Sequence, residues 1–178
     1  QQLLAYHQLS EQSPDQFSLI RTRGELKSHL ENWQNAPKDE TPQLPVGLIP
    51  LMEGAEGILS FDELPMWWDL GVRIIGLAWR GNRYSGGTGE PGPLSPAGKE
   101  LLDAMADHSF VLDISHMDEE AALQTLERYP GTIIASHANL ARLVEGYKGN
   151  RLLTNALLNA LLERDAIIGV VPCNNFLR

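Results

Sequence analysis

SFVLDISHMDEEAALQTLERYPGTIIASHA, residues 109–138, states one pattern twice. A short apolar run, Phe110 to Ile114 and again Thr132 to Ala135, ends in Ser-His, first at Ser115-His116 and then at Ser136-His137. Between the two, Met117 to Tyr129 spaces Ala122, Leu126 and Tyr129 at helical rather than strand intervals. The segment therefore reads strand, helix, strand. Two parallel strands joined by a helical crossover end at the same edge of their sheet, which makes His116 and His137 neighbours in space. In β/α architectures that edge is where chemistry is done. A single histidine after a strand is commonly a capping or loop residue; its repetition at equivalent ends argues for a metal site.

Working outward, Val46 to Met52 is a nearly continuous apolar run, as expected of a strand covered on both faces, and it ends at Glu53-Gly54-Ala55-Glu56-Gly57. A carboxylate at a strand tip followed by glycines suits ligand approach, although Glu53 could instead cap a helix or meet a lysine. Val72 to Leu77 is the next expected strand, followed by Ala78-Trp79-Arg80. Gly81 to Pro93 holds five glycines and two prolines and reads as a flexible loop, a candidate lid or substrate wall. Ser95-Pro96 starts a helix to about Asp107, Thr154 to Arg164 is amphipathic, and Ala166 to Val171 is the last strand.

Ahead of Val46 the sequence offers a helix over residues 1–12, a break at Ser13-Pro14-Asp15, and a short strand from Phe17 to Ile20. A Thr22–Glu25 capping box then opens a helix to about Trp33. Asn35 to Pro45 reads as a surface loop, and His7 and His29 as solvated histidines. Short apolar strands alternating with helices predict a parallel α/β protein of one domain over residues 1–178.

Composition narrows the function. Fourteen Lys+Arg against 23 Asp+Glu give a net charge of −9, which argues against a nucleic-acid partner and for a soluble acidic chain. The lone cysteine, Cys173, excludes an internal disulfide or a thiolate metal site, and no apolar run reaches the length of a membrane span. Cytoplasmic and exported locations both fit. Glu53, His116 and His137 form a donor set suited to zinc and related ions, with room for a water made nucleophilic near neutral pH. Hydrolysis is the expected chemistry. Asp113 either joins the catalytic group, orients a ligand from behind, or is a structural buried acid.

Met52-Glu53-Gly54-Ala55, Leu77-Ala78-Trp79, Leu94-Ser95-Pro96-Ala97-Gly98, Val111 through His116 and Ile133 through Asn139 together resemble, in that order, the renal (membrane) dipeptidase family of metallopeptidases. The resemblance implies a (β/α)8 TIM barrel, of which five to six strands lie in this chain, and two zinc ions acting on dipeptides. Glu53 matches the bridging glutamate, and His116 and His137 match the histidines of the second zinc. The first-strand His-x-Asp pair that supplies the other zinc has no match ahead of Glu53, and the late-strand aspartate has none before Arg178. One metal position at most is thus expected here, in an incomplete portion of a longer polypeptide. Trp79 stands where some members carry a substrate-binding histidine. The arginine for the substrate carboxylate is best matched by Arg151, with Arg142 the alternative, and Asn175 is a further substrate-binding candidate. A homodimer is compatible with the family. The competing readings are a non-catalytic barrel that binds a ligand or partner, and a metal-dependent hydrolase of another amide or ester.

Overall fold

A computed structural model describes residues 1–37 and 43–177, so the loop expected over Asn35–Pro45 falls partly, at 38–42, outside the described residues. The chain forms two compact units, Gln1–Leu51 with Met66–Arg73, and Met52–Pro65 with Ile74–Arg178. Among the described residues, no helix is long and apolar enough to cross a membrane.

The first unit carries helix α1 (Gln2–Gln12), strand β1 (Phe17–Leu19), helix α2 (Arg23–Gln34) and strand β2 (Val46–Leu48). β1 and β2 pair in parallel, Phe17 opposite Val46. The capping box forms as its spacing predicts: Thr22 accepts from the Glu25 amide, and the Glu25 carboxylate accepts from the Thr22 amide. His7 is not simply solvated, because its Nε2 lies 2.9 Å from the Leu70 carbonyl oxygen. Neither is His29, whose ring packs beside Gly47.

The apolar run at 46–52 is not one strand. It splits into β2 and β3 (Leu51–Glu53), with Ile49-Pro50 between them. Pro50 has no N–H to give a ladder, and the two pieces enter different sheets.

The second unit continues with α3 (Leu64–Asp69, only partly in this unit), β4 (Ile74–Gly76), β5 (Ser85–Gly87), β6 (Glu90–Leu94), α4 (Pro96–Asp107), β7 (Val111–Asp113), α5 (Glu119–Arg128), β8 (Ile133–Ala135), α6 (Asn155–Glu163) and β9 (Ile167–Ile168). Its main sheet has the order β3-β4-β7-β8-β9, and the β4–β7, β7–β8 and β8–β9 pairs are parallel. The expected parallel α/β architecture is present, as an open sheet among the described residues. Leu101, Leu102 and Met105 of α4 are fully buried, as are Ala121 and Ala122 of α5 and Leu112 and Ala135 of the sheet. Helix faces and strands thus share one apolar core.

The expected flexible loop at 81–93 is instead an antiparallel hairpin, β5–β6, turning through Thr88-Gly89. Its glycines are there for close approach: a Cβ on Gly86 would lie 2.2 Å from the Gly92 carbonyl oxygen. Tyr84, at its base, is buried and donates its hydroxyl proton to the Ile58 carbonyl oxygen at 2.6 Å. Glycine composition alone reads as flexibility, whereas here it permits two backbones to touch.

Gly98, in the first turns of α4, tests this packing. A Cβ there would meet the Tyr84 carbonyl oxygen at 2.2 Å. Helix propensity alone favours Gly→Ala by about 1 kcal/mol. Gly98→Ala is nonetheless expected to destabilise, by roughly 1–3 kcal/mol, read as a lower urea midpoint; a raised midpoint would show that the hairpin yields freely.

Candidate metal centre

β7 and β8 pair with Leu112 opposite Ile133 and Asp113 opposite Ile134. The offset in this register equals the offset between the two Ser-His pairs, so the repeat written in the sequence is laid side by side. Ser115 Oγ and Ser136 Oγ are 3.3 Å apart, and the two histidine Nε2 atoms are 3.0 Å apart. Glu53, closing β3, brings Oε1 to 3.2 Å from His116 Nε2 and 3.0 Å from His137 Nε2. Three strand ends thus converge on a triangle of donor atoms. His116 adopts a left-handed backbone conformation, φ 71°, uncommon for a residue with a Cβ and costing of order 1–3 kcal/mol.

The hydroxyl network decides which ring nitrogen carries each proton. Thr88 Oγ1 lies 3.3 Å from the His116 carbonyl oxygen, to which it can only donate, and 3.0 Å from His116 Nδ1, from which it then accepts. Ser136 donates to the Asp113 carboxylate and accepts from His137 Nδ1 at 2.7 Å. Both Nδ1–H groups are therefore committed, and both Nε2 lone pairs face the Glu53 oxygen. Such an arrangement repels itself unless a proton or cation sits among the three. Their separations match the roughly 2.9–3.4 Å between neighbouring ligands set by bonds of about 2.0–2.1 Å. The donor set fits a divalent ion of the zinc class.

Asp113 does not reach the triangle. It is buried, and its Oδ1 accepts the Ser115 and Ser136 amides at 3.0 and 2.9 Å while its Oδ2 takes the Ser136 hydroxyl. It touches the centre through Ser136 and the His137 ring, the arrangement by which outer carboxylates orient metal-binding histidines.

Trp79 stacks on His116, ring centroids 4.9 Å apart at 26°, and remains 44% exposed. Arg151 is buried and donates from Nη2 to the His137 carbonyl oxygen at 2.6 Å, while its Nη1 is buried with no hydrogen-bond partner among the described residues. Arg142 lies exposed in a 3-10 turn, Ala141–Leu143, and Asn175 is exposed in another, Asn174–Phe176. The literal His-x-Asp of the sequence, His116-Met117-Asp118, supplies no second ligand pair: Asp118 caps α5 and accepts from Asn150 at 2.7 Å. A separate cavity of about 430 Å3 beside that cap is lined by Asp118, Glu119 and Thr154 among others. Its carboxylates serve the helix start, the Thr154 hydroxyl and the Gln124 side-chain amide. None of the three converging donors lines it, so the donor geometry, not the cavity, marks the functional site. No sequence motif marks Thr88; its local signal is the Thr-Gly turn between two short extended runs.

The whole chain, residues 1–178, matches the family model described as membrane dipeptidase (peptidase family M19). The chain belongs to the membrane dipeptidase family. A relative from Acinetobacter calcoaceticus, an uncharacterized protein in the PQQ-III 3' region, is 32% identical over 135 residues, covering 70% of this chain and 42% of its own. Among solved structures, the probable dipeptidase PvdM from Pseudomonas aeruginosa superposes with a TM-score of 0.83 at 20% identity, covering 99% of this chain and 44% of that one. A metallo peptidase from Rhodobacter sphaeroides, liganded with a phosphinate mimic of the dipeptide L-Ala-D-Ala, gives 0.79 at 25% identity, covering 98% and 49%. The chain thus spans about half the length of these relatives.

Burial above all, then the Arg151 guanidinium and His137, pushes the His116 imidazole down to about 4. Its neutral form is the folded form, whereas an unfolded histidine takes up a proton below its ordinary value near 6.5. The unfolded state then binds more protons between those values, so the stability is complete above about pH 6.5 and is lost as pH falls toward 4. Metal-free protein is expected to unfold at lower urea at pH 5 than at pH 7, and His116→Asn to flatten that difference; an unchanged slope in the variant would place the titration elsewhere.

Proposed function

We propose that the protein carrying this chain is a metal-dependent dipeptidase using zinc at Glu53, His116 and His137. The observation that carries this is the triangle of donor atoms with both histidine Nδ1 protons engaged behind it. Zinc held by Glu53, His116 and His137 would lower the pKa of a bound water toward neutrality and polarise a scissile carbonyl. Glu53 Oε1 lies beside both histidines, so its other carboxylate oxygen would remain available to a further ion, as the resemblance to two-zinc dipeptidases implies.

The substrate class is supported by two features beyond the family. The R. sphaeroides relative was solved with a dipeptide mimic. A dipeptide ends in a carboxylate, and Arg151 presents a buried, unpartnered guanidinium nitrogen next to His137. Leaving such a nitrogen unpaired costs free energy that a carboxylate would relieve. Arg151 is therefore the carboxylate anchor in this reading, and exposed Arg142 is not. Trp79, stacked on His116 with nearly half its surface free, forms a wall against which a substrate side chain packs. Asp113 orients His137 through Ser136.

The test uses the full-length protein. Metal analysis is expected to find close to two equivalents of zinc, and His116→Ala to lose both zinc and release of amino acids from a simple dipeptide. Arg151→Gln is expected to raise KM by roughly 10–100-fold, the worth of a hydrogen bond to a charged group, with a smaller change in kcat. Full zinc content and activity in His116→Ala would end this reading.

A further inference from the structure

Asn150 has no place in the roles above, yet its side-chain amide joins three separate segments. Nδ2 donates to the Gly87 carbonyl oxygen at 3.0 Å and to Asp118 Oδ1 at 2.7 Å, and Oδ1 accepts the Gly89 amide at 2.9 Å. The orientation is unambiguous. A carbonyl oxygen and an ionised carboxylate only accept and an amide N–H only donates, so a flipped amide would break all of these bonds.

Gly87 and Gly89 flank Thr88, whose hydroxyl meets His116 Nδ1. Asn150 thus grips the hairpin turn on both sides of the residue that fixes the ring. The next residue along the chain, Arg151, donates to the carbonyl oxygen of His137. One dipeptide therefore stands behind both histidines. Two backbone bonds hold the hairpin independently of Asn150: the Asp118 amide donates to the Gly86 carbonyl oxygen at 3.1 Å, and the Thr88 amide to that of Trp79 at 3.0 Å. Losing the Asn150 amide releases Gly87 and Gly89, the latter at φ 74°, on either side of Thr88 and so loosens the turn, while the Thr88 amide stays bonded and the hairpin persists.

We propose that Asn150 is a positioning residue of the metal centre: by clamping the Thr88 turn it keeps His116 in the tautomer that presents a bare Nε2 to Glu53 and His137. The consequence for metal binding rests on the zinc reading above, whereas the tautomer claim does not.

Zinc affinity of the full-length protein, by chelator competition, would be compared for Asn150→Ala, Thr88→Val, Thr88→Ser and the Asn150→Ala/Thr88→Val double variant. The two disruptive singles are expected to weaken zinc about 10–100-fold, as loss of an orienting partner does. The double variant is expected to be no more than about twofold worse than the weaker single, because both act through one hydrogen bond. Thr88→Ser is expected to stay close to wild type. In metal-free protein, nitrogen-15 NMR is expected to show His116 protonated at Nδ1 in wild type and a tautomer mixture in Asn150→Ala. Multiplicative losses in the double variant, or an Asn150→Ala protein with unchanged affinity and tautomer, would overturn the proposal. If wild type binds no zinc, the metal reading falls, and the NMR signal alone upholds or overturns the positioning claim. Should Asn150→Ala not fold, Asn150→Asp, which keeps the acceptor for Gly89 and loses the donors, must show the same weakening and the same mixture.

Discussion

The in-register parallel pairing of β7 with β8 is the constraint from which the centre follows. With Asp113 opposite Ile134, every residue after it is matched to its counterpart in the second Ser-His pair. Parallel ladders keep side-chain faces aligned from strand to strand, so a shift by one residue would turn one histidine out of the site. The Asp113 carboxylate locks this register at the strand ends, because it accepts backbone amides from both strands, Ser115 on one and Ser136 on the other. Asp113 is therefore at once a structural staple and the group behind His137. Two of the alternatives left open by its sequence context, the orienting acid and the structural buried acid, coincide in this one carboxylate, which does not itself reach the donor triangle.

The surroundings of His116 disfavour a proton on its ring. His116 is buried, stacked under Trp79 and close enough to Arg151 for its protonation to be disfavoured. A neutral imidazole with its Nδ1–H committed offers a lone pair that needs no proton displaced before it ligates. The hydroxyls of Thr88 and Ser136 set this state by pointing their own protons elsewhere, at a carbonyl and at a carboxylate. Orientation here comes from neutral hydroxyls on the ring nitrogens, with the charge of Asp113 one group further out.

The hairpin β5–β6 shows why a glycine-rich stretch can be misread. Its composition suits a mobile lid, but Gly86 and Gly87 stand where the backbone of Gly92 and Arg80 leaves no room for a Cβ. Close packing, not looseness, is what those residues permit, and the result is a packed hairpin that places Thr88 against His116. Pro50 makes the complementary point. A run whose hydrophobicity reads as one strand is cut where a missing N–H forbids the ladder, and its halves serve different sheets.

The sequence by itself determined the parallel α/β class and the helix starts at Thr22, Ser95 and Thr154, and it nominated Glu53, His116 and His137, whose side chains the fold brings together. These depend on local periodicity, capping chemistry and a repeat that topology converts into proximity. Family resemblance, carried by several ordered motifs, supplied Arg151 as the carboxylate candidate but left Arg142 beside it. Only the tertiary structure decided between those arginines' surroundings, one buried with a nitrogen unpaired and the other exposed. It alone brought Thr88 and Asn150 to the centre. Their hydrogen bonds join residues 28 and 63 positions apart along the chain, and no local pattern of side chains encodes a contact whose partners are chosen by how separate segments pack.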